Sequence, residues 1–268
     1  MKYDLHVHSN ISDGKISREE IIKKAVEEEL KYISFTEHND FKLIDENLKN
    51  NDINFINGIE FDTFLDKSFH TLCYFTKIDN DIYKIINTYK ENTNDRSELL
   101  INNISKFHNI EIDIDMLKLF FNKTFITKRD IIDWLLINKY AKTVDEAAYK
   151  FTSKSAISYV PKYSLNFIDL ATIKKSIGGK LILAHPYSLN YNIEELDNFV
   201  KKLCLLGLDG IEVINTSKIS KMQINEYKQI ANKYKILTSA GSDFHDFERH
   251  NIGVEGNESK KLIKALTL

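Results

Sequence analysis

The stretch Asp4-Leu5-His6-Val7-His8-Ser9-Asn10-Ile11-Ser12-Asp13-Gly14 organises the reading of the whole chain. Residues 3–7 read as a strand that runs into a loop. Side chains two apart on a strand share a face, so His6 and His8 project together from its end. Asp13 precedes Gly14, in a loop able to turn its carboxylate back toward the imidazoles. Two same-face histidines with a hard oxygen donor nearby begin a site for zinc, manganese or iron.

Working outward, the alternation of elements fixes the fold class. Ser17 and Glu20 form a capping box that opens a helix with Ile21, Ile22, Ala25, Val26 and Leu30 at helical spacing. Strands are predicted at 32–36, 53–59 and 69–75, the first ending at Glu37-His38-Asn39-Asp40, the second at Glu60. From 79 to 162 the character changes. Helical patterns at 82–107, 115–121, 128–138 and 144–151 follow one another without a strand, which predicts a helical insert. His108, the insert's one histidine, reads as a surface or cap residue.

The alternation then resumes. A helix at 168–177 stops at Gly178-Gly179, and a strand at 180–184 ends at His185-Pro186. Helices at 193–206 and 219–234 flank a strand at 209–214. A last strand at 236–240 ends at Gly241-Ser242-Asp243-Phe244-His245. Seven strands with helices between most of them predict an α/β fold of the parallel-barrel kind, whose functional residues collect at strand ends; a doubly wound open sheet is the alternative. The expected division is a barrel from 1–78 and 163–268 with the insert at 79–162.

Composition narrows the function. The chain has 268 residues, 43% of them apolar, and a formal net charge of −2. That is enough for a large core, and no basic stripe predicts duplex nucleic-acid binding. A small phosphorylated or single-stranded substrate needs only local cations. Cys73 and Cys204 sit in apolar runs and read as buried free thiols. The absence of a signal peptide or long apolar run predicts a cytoplasmic protein with no membrane partner.

Six of the eight histidines (His6, His8, His38, His70, His185 and His245) fall at or beside predicted strand termini, together with Asp13, Glu60 and Asp243. Nine such donors exceed what one zinc ion takes. They suit two or three divalent ions (Mn, Zn or Fe), with a carboxylate such as Glu60 bridging a pair. Sites of this composition commonly carry out hydrolysis at phosphorus.

In chain order, His6-Val7-His8 with Ser12-Asp13-Gly14, Thr36-Glu37-His38-Asn39, Gly58-Ile59-Glu60, His70, Ala184-His185-Pro186 and Ser242-Asp243-Phe244-His245 resemble the motifs of the PHP (polymerase and histidinol phosphatase) superfamily of metal-dependent phosphoesterases. The resemblance spans nearly the whole chain. It implies a distorted seven-stranded (β/α)7 barrel with up to three metals. His6, His8, Glu60 and Asp243 would hold the first, Asp13, His38 and His245 the second, and Glu60, His70 and His185 the third. A metal-bound hydroxide would then attack phosphorus.

Within the insert, Phe125-Ile126-Thr127-Lys128-Arg129-Asp130-Ile131, Asp145-Glu146-Ala147 and Ser158-Tyr159-Val160-Pro161-Lys162 resemble a subgroup that removes phosphate from nucleotides or trims short RNA from its 5′ end. This implies an insert that supplies cations to the substrate, with Lys128, Arg129 and Lys162 as candidates. Arg249 and His250 are further candidates for contacting the phosphate. Three residues depart from the family pattern. Glu37 replaces an aspartate and is expected to support His38, Asp246 replaces a glycine, and Lys128-Arg129-Asp130 stands where Arg-Pro-His is usual. The rival readings are a histidinol-phosphate phosphatase, a non-catalytic PHP module that only binds metal, and an amidohydrolase-type barrel acting on C–N bonds.

Overall fold

A computed structural model of the chain describes residues 1–49, 51–123, 125–215, 219–248 and 251–267. By its contacts the chain divides into two compact units, Met1–Tyr83 with Leu165–Leu268, and Lys84–Ser164.

Among the described residues, the first unit carries all the strands. In chain order these are β1 (Lys2–Val7), β2 (Tyr32–Phe35), β3 (Asn54–Phe55), β4 (Asn57–Phe64), β5 (Ser68–Phe75), β6 (Leu165–Asn166), β7 (Lys180–Leu183), β8 (Gly210–Asn215), β9 (Leu237–Gly241) and β10 (Val254–Glu255). They pair as two sheets, in the orders β10-β1-β2-β3 and β6-β4-β5-β7-β8-β9. The expected single set of seven strands is corrected on two points. The predicted strand at 53–59 is broken at Ile56 into β3 and β4, which belong to different sheets. In addition, β5 runs antiparallel to both β4 and β7, while β7, β8 and β9 are parallel. The reversal follows from the chain itself, since only three residues join Phe64 to Ser68 and so short a link can make only a hairpin. Two isolated parallel bridges, Val7 with Phe244 and His38 with Glu60, tie segments of the two sheets together at the site.

Helices of this unit are held as their sequences prescribe. Helix α1 (Arg18–Glu27) starts at the Ser17–Glu20 capping box and buries Ile21, Ile22 and Ala25. They join Val7, Ile33, Phe35 and Phe244 in one apolar cluster, each large side chain contributing about 2 kcal/mol. A second cluster places Tyr3 and Leu5 with Leu72, Tyr74, Ile182 and Ala240.

The second unit is helical among its described residues. Helix α2 (Asn80–His108) contains the boundary between the units, and α3 (Ile114–Phe121), α4 (Lys128–Ile137) and α5 (Val144–Ala147) follow. Their core is Leu100, Ile101, Ile104, Leu117, Ile131, Trp134, Leu135 and Phe151. His108 is the last residue of α2, and its ring packs on Phe151 at 4.7 Å between centroids.

Candidate metal centre

Every site begins with the backbone that aims it. Strand β1 is buried on both faces, and its end delivers His6 and His8 fully buried. Gly241 of β9 lies against His6 so closely that a Cβ there would collide with the His6 side chain. The loop after His8 folds back through Ser12 N–H and Gly14 N–H, both donating to the Ser9 carbonyl. A Cβ at Gly14 would stand 2.6 Å from the His8 carbonyl oxygen, so this tight return needs glycine. The return brings Asp13 Oδ1 to 3.3 Å from His245 Nε2 and 3.8 Å from His8 Nδ1.

Three of the site's residues hold left-handed backbone without being glycine: Asn39 (φ 53°), Asp243 (φ 52°) and His185 (φ 25°). Non-glycine residues persist there when their surroundings over-determine them, and such strain gathers at functional sites. Asp62 holds Asn39 on both sides, its N–H donating to the Asn39 side-chain carbonyl and its carboxylate accepting from the Asn39 amide.

Glu60 is the centre of the cluster, and it sits inside β4 rather than at a strand end as expected. Its Oε1 lies 2.9 Å from His70 Nδ1 and 2.8 Å from His185 Nε2. Its Oε2 lies 3.2, 3.1 and 3.3 Å from His6 Nε2, His8 Nε2 and His38 Nδ1. Asp243 Oδ1 is 3.4 Å from both His6 Nε2 and His8 Nε2.

These distances are short, yet several of the atoms are not in hydrogen-bonding geometry. His6 Nε2, both ring nitrogens of His8, His38 Nδ1 and Glu60 Oε2 are buried and have no hydrogen-bond partner. Buried polar atoms without partners are costly. Lone pairs that converge from imidazole and carboxylate are what a divalent cation satisfies, so the residues fit metal ions. Among the described residues three groups have donor atoms within 4.8 Å of one another: His6, His8, Glu60 and Asp243; His8, Asp13, His38 and His245; and His38, Glu60 and His70. The first is the expected set. His8 joins the second, and His38 joins the third, where His185 reaches the cluster through Glu60.

The electrostatics follow from burial and crowding. Burial works against the Glu60 carboxylate, yet His38, His6 and His70 hold it well below the usual range. Burial would lower the His8 imidazole, but the carboxylates of Asp243 and Glu60 raise it to about 9. His70 is raised against burial to about 10 by Glu60 and Asp62. Burial wins at His38, which falls to about 4.

Residues 4–234 match the PHP domain family. The chain belongs to the PHP domain family. Curated relatives include the 5′-3′ exoribonuclease Rnm of Escherichia coli, 23% identical over 250 residues that cover 91% of this chain and 85% of the relative. The 5′-3′ exoribonuclease of Haemophilus influenzae is 25% identical over 256 residues, covering 91% and 90%. Among solved structures, a Bifidobacterium adolescentis protein that carries the name of a metal-dependent phosphoesterase superposes with a TM-score of 0.80 at 21% identity, covering 99% of this chain and 95% of that one. An amidohydrolase from Chromobacterium violaceum superposes with a TM-score of 0.78 at 17% identity, covering 98% and 96%. At these identities the two structures speak for the fold alone.

Within this PHP domain, four residues support the site in ways the sequence did not show, and one of them was expected in a different role. Glu37 does not support His38 as expected. Its carboxylate accepts from Ser9 N–H, from the hydroxyls of Ser9 and Ser12, and from Nε and Nη2 of Arg18. It therefore braces the loop that carries Asp13. Asp62 Oδ1 takes His70 Nε2 at 2.8 Å, which leaves Nδ1 toward Glu60. Glu212 of β8 accepts from His6 Nδ1. Arg18 is buried and stacks on Phe35 besides its bond to Glu37. A lone charge inside an apolar segment, as in Gly210-Ile211-Glu212-Val213, is the one signal that could have pointed to Glu212.

The departures resolve locally. Asp246 is buried, keeps out of the left-handed region, and pairs with Lys15 at 3.3 Å, so no glycine is required there. Asp130 caps α4 by accepting from Thr127 N–H and also binds Lys123. Arg129 is exposed and pairs with Asp133 one turn on. Lys128 is exposed as well, but partial desolvation and the nearby charges of Arg96 and Lys162 lower its pKa, which places three cations near one another in the helical unit. Arg249 and His250 lie outside the described residues. Cys73 is buried, but Cys204 is only partly so, which corrects the expectation for the second thiol. No helix among the described residues is long and apolar enough to cross a membrane.

Proposed function

We propose that this PHP-family metal-dependent phosphoesterase hydrolyses a phosphate ester of a nucleotide or of a short 5′-phosphorylated oligonucleotide. The observation that carries this is the convergence of His6, His8, His38, Glu60, Asp243 and their neighbours into three overlapping donor groups. The exoribonuclease names of relatives aligned over 91% of the chain support the nucleotide class.

When bound, divalent ions polarise a phosphoryl oxygen and lower the pKa of water. His6, His8, Glu60 and Asp243 would hold one ion, and Asp13, His38 and His245 with His8 a second. Glu60 and His70, with His38 and His185 beside them, would hold a third. The chain's own part is to fix these donors before substrate arrives, so that little reorganisation accompanies the reaction. Asp62 does this for His70, and Glu37 does it for the Asp13 loop.

In the helical unit, Lys128 and Lys162 with Arg96 form a cationic group suited to a phosphate of the substrate. Arg96 is pinned by donating from Nε to the Pro161 carbonyl and from Nη2 to the Val160 carbonyl, which fixes the segment bearing Lys162. Arg129, engaged by Asp133, is the weakest of the three candidates. A modest net charge agrees with a small or single-stranded substrate rather than a duplex.

The test is nucleotide or phosphate release from a panel after manganese reconstitution: nucleoside 3′,5′-bisphosphate, mononucleotide, 5′-phosphorylated short RNA and histidinol phosphate. Preference for the nucleotide members is expected, and preference for histidinol phosphate would overturn the substrate class while leaving the metal centre intact.

A further inference from the structure

We propose that Glu212, which is not itself a metal-donor residue, is a positioning residue that sets which nitrogen of His6 faces the metal centre and holds His185 in place. This rests on the metal reading given above and deepens it. Glu212 lies in β8, is 1% exposed, and belongs to none of the three donor groups.

Its two oxygens are fully committed. Oε1 is 3.0 Å from His6 Nδ1, and Oε2 accepts from the His185 N–H at 2.7 Å and the Asn215 amide at 3.1 Å. A carboxylate only accepts, so the His6 proton must sit on Nδ1. That leaves the Nε2 lone pair toward Glu60 Oε2 and Asp243 Oδ1, at 3.2 and 3.4 Å. Imidazole ligands are commonly oriented by a carboxylate on the far nitrogen, which fixes the tautomer and raises basicity.

The second contact explains a strained residue. His185 stands at φ 25°, ψ 66°, away from the ordinary basins. Its ring is held by Ser188 Oγ on Nδ1 and by Glu60 on Nε2, and its backbone N–H is held by Glu212. One carboxylate thus locks a donor from the end of β1 and a neighbour of Glu60 from the end of β7.

Glutamine at 212 has the same shape and only one acceptor. If its oxygen keeps His185 N–H and Asn215, its amide NH2 faces His6 Nδ1 and favours the tautomer with the proton on Nε2. The defect then falls on one donor group of the three. The experiment is zinc content per chain in wild type and Glu212→Gln, measured across a series of chelator-buffered free zinc concentrations. One binding step should weaken by roughly 10- to 100-fold, while the remaining steps keep their midpoints. Equal midpoints in the two proteins, or uniform weakening of every step, overturns the inference.

Wild-type protein that holds no zinc contradicts the metal reading itself and takes this inference with it, a result visible before any variant is compared. Should the variant not fold, nitrogen-15 NMR of zinc-loaded wild type decides: His6 is expected with a proton on Nδ1 and the metal on Nε2, and the reverse arrangement overturns the proposal.

Discussion

Glu60 Oε1 lies 2.8 Å from His185 Nε2, although 125 residues separate them in the chain. That contact spans β4 and the end of β7, two strands that pair only through β5. The hairpin is thus what lets a carboxylate from one strand meet an imidazole from another. Five imidazoles surround Glu60, so its replacement has the widest consequence of any in the centre. Glu60→Gln should lower turnover by at least about a hundred-fold and reduce bound metal, with unchanged far-ultraviolet circular dichroism. Assays of activity and metal content on the purified variant check this.

Metal binding should release protons. In the metal-free protein His8 titrates at about 9 and His70 at about 10, so both imidazoles hold protons near neutral pH. An ion must displace them. Raised values place the proton on the metal-free side, so apparent affinity should climb with pH through neutrality and level off above about 9 to 10. Calorimetric titration in buffers of different ionisation enthalpy measures the released protons.

Loss of one partner in the Glu37–Arg18 pair should be more damaging than loss of a surface ion pair. Both side chains are buried, and Glu37 also holds Ser9 and Ser12. Arg18→Ala leaves a buried, uncompensated carboxylate, at a cost of about 3–5 kcal/mol. Denaturant unfolding checks the stability loss. A metal titration should show weakening at the group containing Asp13 as well.

The cations of the helical unit should separate by kinetics. Lys128→Ala and Lys162→Ala should each raise KM for a nucleotide substrate roughly ten- to hundred-fold with little change in kcat, as a lost charge-assisted contact of ~1.5–3 kcal/mol implies. Arg129→Ala should stay within about two-fold of wild type, because an exposed helix ion pair contributes little. Steady-state kinetics on the three variants distinguishes them.

Much of this was legible because local signals and chemistry coincide. The Ser17–Glu20 box opens α1, and the strands beginning at Lys2, Tyr32, Lys180, Gly210 and Leu237 have the predicted places. All nine expected donors come together. The sequence was silent on strand direction, since the apolar runs at 57–64 and 68–75 look alike whether paired parallel or antiparallel. It did not show what Glu37, Asp62 and Glu212 hold, because Arg18, Asn39 and His6 lie 19, 23 and 206 residues from them and backbone partners carry no sequence mark. Glu37 even invited a wrong partner, because adjacency to His38 says nothing about where a longer carboxylate reaches.

The most direct test of the central claim is phosphate release from a nucleoside 3′,5′-bisphosphate by wild type and Asp243→Ala, each stripped of metal and then given manganese. Turnover that appears only on manganese addition to wild type, and that Asp243→Ala fails to recover, is the predicted result. Equal turnover by stripped and reconstituted wild type, or activity of Asp243→Ala within a few-fold of wild type, would contradict a metal-dependent reaction at this centre.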